Sequence, residues 1–357
     1  MLSRVHKVGY YLCLFPKFDP NSQKVLRLKY EKTVVYTVII FYLLMSSLLM
    51  YLRYSLVYNL FPISQIIIET STTILGQVLC VGALTSLIAC DGLWTDYFNR
   101  VSSLKNTLKL NFVIYKFKII IIAVSLETIW FIANTICTKY MYGIVLHAFY
   151  VDIIWHAIYQ LTCSYFIANV VKFIKQCLIQ TNEMLNQTLR GKANDLPEKI
   201  RHTGIIYEEI KTLNKTFEGL FGWRVLLMII GGGLIMLNTF NFLIQLLLTK
   251  QSIIIISTSI LLGLFGVISP LWIMQECDET VKECENIAAT AFKYEKSFPL
   301  NSEERRELLN LANCVLQRKI GFTAAGFFDV NRRNIFSLFG TTTTYFIIII
   351  QLINVSN

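Results

Sequence analysis

The chain has 357 residues, 54% of them hydrophobic and only 16% charged, with a formal net charge of +10. Soluble domains carry roughly 25% charged residues, and mean hydropathy here is +0.53, so an ordinary soluble enzyme is a poor fit. Only four histidines are present, and neither a Gly-rich nucleotide loop nor a nucleophile elbow can be found.

The apolar residues fall in seven blocks: 33–52, 63–90, 117–140, 144–171, 223–248, 253–274 and 336–353. Each reaches or approaches the roughly 20 residues that a bilayer-spanning helix needs. The pattern predicts an all-α polytopic membrane protein with seven transmembrane helices. If the N-terminus is cytosolic, the cytosolic connections hold twenty-eight Lys and Arg residues, and the outside holds Arg53, Lys139 and Lys250. That bias follows the positive-inside rule, so the basic balance reports topology and not a nucleic-acid partner. It predicts a cytosolic N-terminus and an extracellular C-terminus, the reverse of a G-protein-coupled receptor. Consistently, span three is not followed by Asp-Arg-Tyr, and span seven lacks Asn-Pro-x-x-Tyr.

The nine cysteines show no disulfide framework, and Cys277 and Cys284 lack metal-ligand spacing, so neither a metal nor another cofactor is expected. Residues 8–15 are apolar but too short to span, which suits an interfacial helix better than a cleaved signal peptide.

In chain order, span two carries Gln65 and Glu69 on one helix face; a carboxylate inside a membrane usually faces a cavity or a partner. Span three carries Glu127 and Asn134 with Trp130 nearby. Span four is the most polar, and its Asp152 and His156 have the i, i+4 spacing of a hydrogen-bonded pair. A metal site there would need ligands that the sequence does not display. The pattern then runs on past the membrane, where Leu196, Ile200, Ile210, Leu213 and Phe217 form an apolar stripe suited to a partner helix. Span five contains Gly231, Gly232 and Gly233, marking tight packing or a bend, followed by Asn238, Asn241 and Gln245 on one face. Pro270 should kink span six. Beyond it, Val281, Cys284, Ala288 and Ala291 form a seam for helix association, and Asn301 with Glu304 suits a helix N-terminus.

No linker or repeat divides the chain, so residues 1–357 read as one domain. Helices one to six (33–274) form a ligand-sensing bundle, 275–335 a cytosolic helical anchor, and 336–353 a final helix. The outer halves of the bundle supply aromatic and polar groups fit for a small organic ligand. Glu69, Trp130, Asp152, Trp155, His156 and Asn241 are the candidates.

The final helix opens with Thr341–Thr344 and ends on Gln351, an amide with no use in lipid. Several copies around an axis would place Gln351 in a ring, with Leu352 as a hydrophobic collar able to gate by dewetting. In the run Thr344-Tyr345-Phe346-Ile347-Ile348-Ile349-Ile350-Gln351-Leu352, a Thr-Tyr pair and five apolar residues precede Gln. This resembles the C-terminal signature of the insect gustatory receptors, and Gly326-Phe327-Phe328-Asp329-Val330-Asn331-Arg332 resembles the block before their last helix. Leu352 stands where that family usually has Phe.

The resemblance implies a tastant-gated, non-selective cation channel, a homo- or hetero-tetramer with other gustatory receptors, in the plasma membrane of sensory neurons. It implies a pore lined by the last helix, with Gln351 and Leu352 at the outer constriction, Ile348 along the path and Tyr345 in packing or gate coupling. Asp329 and Arg332 would pair at the hinge before it. Sugar receptors of the family tend to carry Glu after the Thr-Tyr pair, where this chain has Phe346, so bitter or other plant compounds are the expected ligands. A metabotropic receptor and a transporter are the alternatives.

Overall fold

The computed structural model describes residues 16–19, 22, 24–25, 31–56, 63–110, 125, 129, 132, 136, 151–191, 195–248 and 253–356. Eight helices are present among them: α1 (Glu31–Leu56), α2 (Ile63–Ala89), α3 (Asp91–Thr107), α4 (Val151–Arg190), α5 (Leu196–Leu248), α6 (Ile253–Glu295), α7 (Glu303–Gln317) and α8 (Arg332–Ser356). The one antiparallel pair described is β1 (Phe18–Asp19) with β2 (Lys24–Val25). Its Phe18 stacks on Phe98 of α3 with ring centroids 4.7 Å apart.

Among the described residues, length and composition allow four helices to cross a membrane: Lys32–Leu56, Ile66–Ala89, Trp155–Arg190 and Leu196–Asn241. These overlap sequence spans one, two, four and five. Spans six and seven lie in α6 and α8, whereas span three apart from residues 125, 129, 132 and 136, the outer end of span four and the interfacial stretch 8–15 fall outside the described residues.

Helix α5 has 53 residues, about 80 Å at 1.5 Å per residue, against a hydrocarbon core of about 30 Å. With α4 and α6 it therefore continues into a charge-rich extension, where α3 and α7 join it. The main core sits there. Phe173, Ile174 and Leu178 of α4 meet Tyr207, Ile210 and Leu213 of α5, Ile287 and Ala288 of α6, and Leu308 and Leu311 of α7. The stripe and the seam expected from the sequence both face this core, with Ile200, Ile210, Leu213, Cys284 and Ala291 fully buried. Each large apolar side chain buried there is worth about 1.5–3 kcal/mol, so water drives the folding of the extension in a way that lipid cannot. Helix α7 starts one residue later than expected: Ser302, in extended conformation, caps it by accepting from the Arg305 amide at 3.2 Å.

The triplet Gly231–Gly233 does not interrupt α5. Successive residues of a helix point about 100° apart, so the three glycines present three bare faces. A Cβ on Gly231 would lie 3.3 Å from Leu75 of α2, one on Gly232 2.9 Å from Pro270 of α6, and one on Gly233 3.1 Å from Leu338 of α8. Opposite, Gly263 and Gly266 of α6 accept Thr239 and Ile235 at distances that leave no room for a methyl group. Pro270 lies within the continuous α6.

The connection 318–331 between α7 and α8 is held down as firmly as a helix. Phe322, Ala324 and Val330 are buried. Val330 donates to the Phe322 carbonyl at 2.7 Å, and Thr323 bridges to Asp329. Ala325 and Gly326 turn the chain through positive φ, 52° and 79°. Two residues of α5 fix this turn: Glu218 accepts from the Thr323 amide at 2.7 Å, and Asn214 donates to the Gly321 carbonyl at 2.6 Å.

Arg332, which opens α8, does not turn to Asp329 as expected from their three-residue spacing. It reaches Glu279 at 2.9 Å and Asp278 at 3.5 Å on α6. The bridge to Thr323 fixes the backbone at Asp329, while the long guanidinium spans to the neighbouring helix. Glu279 also takes Lys175 of α4 at 2.5 Å. Hydrogen bonds from Lys175 and Gln275, against a smaller opposing effect of burial, hold the Glu279 carboxyl below the usual carboxylate range.

Two predictions follow from these contacts. Gly266→Ala should lower thermal stability in detergent by about 1–3 kcal/mol through overpacking. Gly82→Ala, with open space around its Cβ, should leave it unchanged or raise it by up to about 1 kcal/mol. Because the folded pKa of Glu279 is depressed, its stabilisation is present above the unfolded value of about 4.3 and fades as pH falls through the lower folded one. Melting curves of Glu279→Gln should accordingly fall less than wild type between pH 5 and pH 3.

Candidate functional site

At the end of the bundle away from the extension, polar side chains gather inside apolar helices. Arg53, fully buried near the end of α1, donates through Nη1 and Nη2 to the two carboxylate oxygens of Asp152 on α4, at 3.1 and 2.9 Å. Ser46 of α1 donates to Asp152 at 3.2 Å, and Gln77 of α2 donates to Ser46 at 2.7 Å. The guanidinium also reaches Thr73 of α2 at 3.5 Å. Beside this network, Tyr42 of α1 is hydrogen-bonded to Nε2 of His156. Planar bidentate pairing of Arg with a carboxylate is the geometry that best offsets the cost of removing both charges from water. Asp152 and His156 share one helix face, but instead of the hydrogen bond to each other expected from their spacing, Asp152 bonds to Arg53 and Ser46 and His156 to Tyr42, so both tie α4 to α1.

Sequence reading placed Arg53 in an extracellular loop. The structure corrects that: Arg53 belongs to α1 and is fully buried in it. The signal available was Asp152, because a carboxylate inside an apolar helix calls for a cationic partner.

Next to the network a cavity opens between α2, α4, α5 and α6. Glu69, Thr72, Thr73 and Gly76 line it from α2, His156 and Gln160 from α4, Gly231, Asn238 and Thr239 from α5, and Gly266 from α6. About 70 Å³ of it is open to the centres of water molecules, room for several waters at roughly 10–15 Å³ each. Small residues make the space: a Cβ on Gly76 would strike the His156 ring at 2.6 Å. Gln160 spans the wall, donating to Ser269 at 3.3 Å.

Of the sequence candidates, Glu69 and His156 line this cavity. Asp152 stands behind its wall on Arg53, and Trp155 is 55% exposed on the bundle surface and does not line it. Asn241 is buried one turn beyond Asn238. Both atoms of its amide, and Oδ1 of Asn238, lack hydrogen-bond partners among the described residues. Buried amide atoms of that kind call for water or a ligand. Trp130 lies outside the described residues. Thr72, Thr239 and the glycines went unnoticed as wall residues, because back-bonded threonines and small residues look like packing groups in a sequence.

Helix α8 has two unlike faces. Leu338, Thr342 and Phe346 turn inward, Leu338 against Gly233 and Phe346 against Phe240 with ring centroids 5.0 Å apart. The opposite stripe, Ser337, Thr341, Thr344, Ile348 and Gln351, steps by four, three, four and three residues and is exposed throughout. Tyr345 also stands exposed beside it. The side chain of Leu352 is not described.

The sequence matches the profile of the 7tm chemosensory receptor family over residues 2–353. The chain belongs to that family. Its fold is shared with the insect olfactory receptor OR5 from Machilis hrabei, at a TM-score of 0.69 and 14% identity, covering 98% of this chain and 97% of that one. The structure of the same receptor in complex with eugenol aligns with a TM-score of 0.64, 14% identity and 98% coverage of both chains. No curated protein matches the sequence at a significant level.

Removing one partner of the buried pair should be severe. Asp152→Asn is expected to cost about 3–5 kcal/mol by stranding a buried guanidinium, whereas Arg53→Met combined with Asp152→Leu should recover much of it. Thermal midpoints measured by fluorescence-detected size exclusion would check both.

Proposed function

We propose that the chain is a gustatory receptor acting as a ligand-gated cation channel, with four copies arranged so that α8 of each lines a central pore. The observation that carries this reading is the exposed stripe on α8. Ser337, Thr341, Thr344 and Gln351 share one face of an otherwise apolar helix, turned away from the chain's own bundle. In lipid, polar groups on such a face would be costly to leave unpaired. Thr344 already donates to the Gly340 carbonyl at 3.0 Å, which leaves its oxygen free to accept from water. A ring of copies built on heterologous contacts turns these stripes toward a common aqueous path.

Gln351 then forms a neutral amide ring, with Leu352 beside it and Ile348 one turn below. Neutral rings select weakly among cations, unlike rings of charged side chains. The cavity beside Glu69 and His156 is the ligand site, and Asn241 completes its polar lining through water. Its connection to the pore is short: Gly231 lines the cavity, and two residues later Gly233 touches Leu338 of α8. Arg332, held by Glu279 and Asp278, is the hinge before the pore helix. The excess of Lys and Arg on one side supports a cytosolic N-terminus and an extracellular C-terminus, and the resemblance to gustatory receptors supports the plasma membrane of sensory neurons. Family membership and a fold relative solved with eugenol support a small organic ligand, for which bitter or other plant compounds are the leading class.

Expression in oocytes with a tastant panel, under G-protein blockade, tests the reading. Fast cation current that persists supports it, and current that requires G-protein signalling overturns it. Gln351→Glu should raise calcium permeability relative to sodium several-fold by adding a carboxylate ring. In cysteine variants, a charged thiol reagent should reduce current at Thr344→Cys and not at Thr342→Cys, whose side chain packs inside the protomer.

A further inference from the structure

The exposed stripe of α8 begins one turn before Ser337. Arg333, the second residue of the helix, is exposed and stands four positions ahead of Ser337. Asn331 fixes this first turn by accepting from the Asn334 amide at 3.1 Å. From position 333 to position 351 the helix makes about five whole turns at 3.6 residues each. Arg333 therefore has the same bearing about the helix axis as Gln351. Ser337, Thr341, Thr344 and Ile348 lie between them within an arc of about 80°.

The two arginines that open α8 have different surroundings. Arg332, turned about 100° away, pairs with Glu279 and Asp278 of α6. Arg333 makes no ion pair among the described residues, and Asp329, exposed just ahead of the helix, does not reach it. Helix α8 contains no Asp, Glu or Lys, so nothing on the stripe offsets the Arg333 charge. A guanidinium also keeps its proton at any working pH. The stripe is thus cationic at one end and ends on a neutral amide at the other.

We infer that Arg333 sets the direction in which the pore passes current more readily. The inference rests on the reading of α8 as the pore helix of a ring of four, with its N-terminal end cytosolic. Four guanidinium groups then encircle the cytosolic mouth. They lower the concentration of cations there by repulsion, the reverse of the focusing that a charged cleft gives to ions of opposite sign. Outward current draws on this depleted pool, whereas inward current enters past the neutral Gln351 ring. The result is inward rectification. Such a ring acts over about 8 Å at physiological ionic strength and about 3 Å at 1 M, so concentrated salt removes the effect.

Inside-out patches from oocytes test this, with sodium chloride equal on both sides at about 0.15 M. The current measured is that opened by the most active compound of the tastant panel. At equal and opposite voltages, inward current should exceed outward current at least about twofold. Arg333→Gln should bring the ratio to about one, Arg333→Glu should invert it, and Arg333→Lys, which keeps the charge, should preserve it. In wild type, raising both solutions to about 1 M should remove most of the asymmetry, a response that a merely structural role for Arg333 would not give. That measurement needs no variant, so it decides the matter even where a substituted receptor fails to assemble.

A wild-type current without inward rectification, rectification that survives Arg333→Gln, or rectification indifferent to salt would each overturn the inference. The thiol reagent on Thr344→Cys reports on the pore separately in the same patches. If it reduces current while Arg333→Gln changes nothing, α8 lines the pore and Arg333 faces lipid headgroups instead. If neither has any effect, the pore reading falls together with the inference.

Discussion

The packing depends on three adjacent residues that have no side chains. At Gly231–Gly233, α5 approaches α2, α6 and α8 so closely that a methyl group on Gly232 would strike Pro270, and one on Gly231 or Gly233 would press on Leu75 or Leu338. Lipid supplies no hydrophobic drive for helices to associate, so contact between them depends on how closely backbones can approach. A strip of small residues on the longest helix meets that requirement on three sides at once. It also makes α5 a wall of the cavity and the support of α8, with Gly231 lining the one and Gly233 against the other.

Two environments hold the molecule together by different means. In the extension, a large core of Phe, Ile, Leu and Tyr side chains is buried from water in the ordinary way. In the bundle, glycine contacts and buried polar bonds take over, with Arg53 and Asp152 stitching α1 to α4. The ion clusters of the extension, such as Lys175–Glu279–Arg332, are partly exposed and contribute modestly to stability. Their role is geometric, because they set where α8 leaves the anchor. The turn clamped by Glu218 and Asn214 removes slack between α7 and α8.

Much of this was legible beforehand. Hydropathy located the helices, and the three-and-four spacing of Val281, Cys284, Ala288 and Ala291 announced a packed seam. The glycine triplet was recognisable as a place of close approach, and Glu69 and His156 as residues facing a cavity. What could not be read were pairings between distant segments. Arg53 resembles a loop charge until α4 is laid beside α1, ninety-nine positions away. Arg332 has an acidic neighbour in sequence and two better-placed ones on another helix. Asn301 and Ser302 are equally good caps by composition, and only the backbone chooses between them. Wall residues of the cavity escaped for a related reason: glycines and back-bonded threonines mark empty space, and empty space leaves no trace in composition.

The glycine strip also bears on how such a receptor can diverge. A contact defined by missing atoms constrains a handful of positions and leaves the rest of the surface free to change, since almost any apolar residue satisfies lipid. Two chains can then drift to 14% identity and keep the same backbone over nearly their whole length. Side chains around the cavity can then be exchanged while the frame that encloses them stays put.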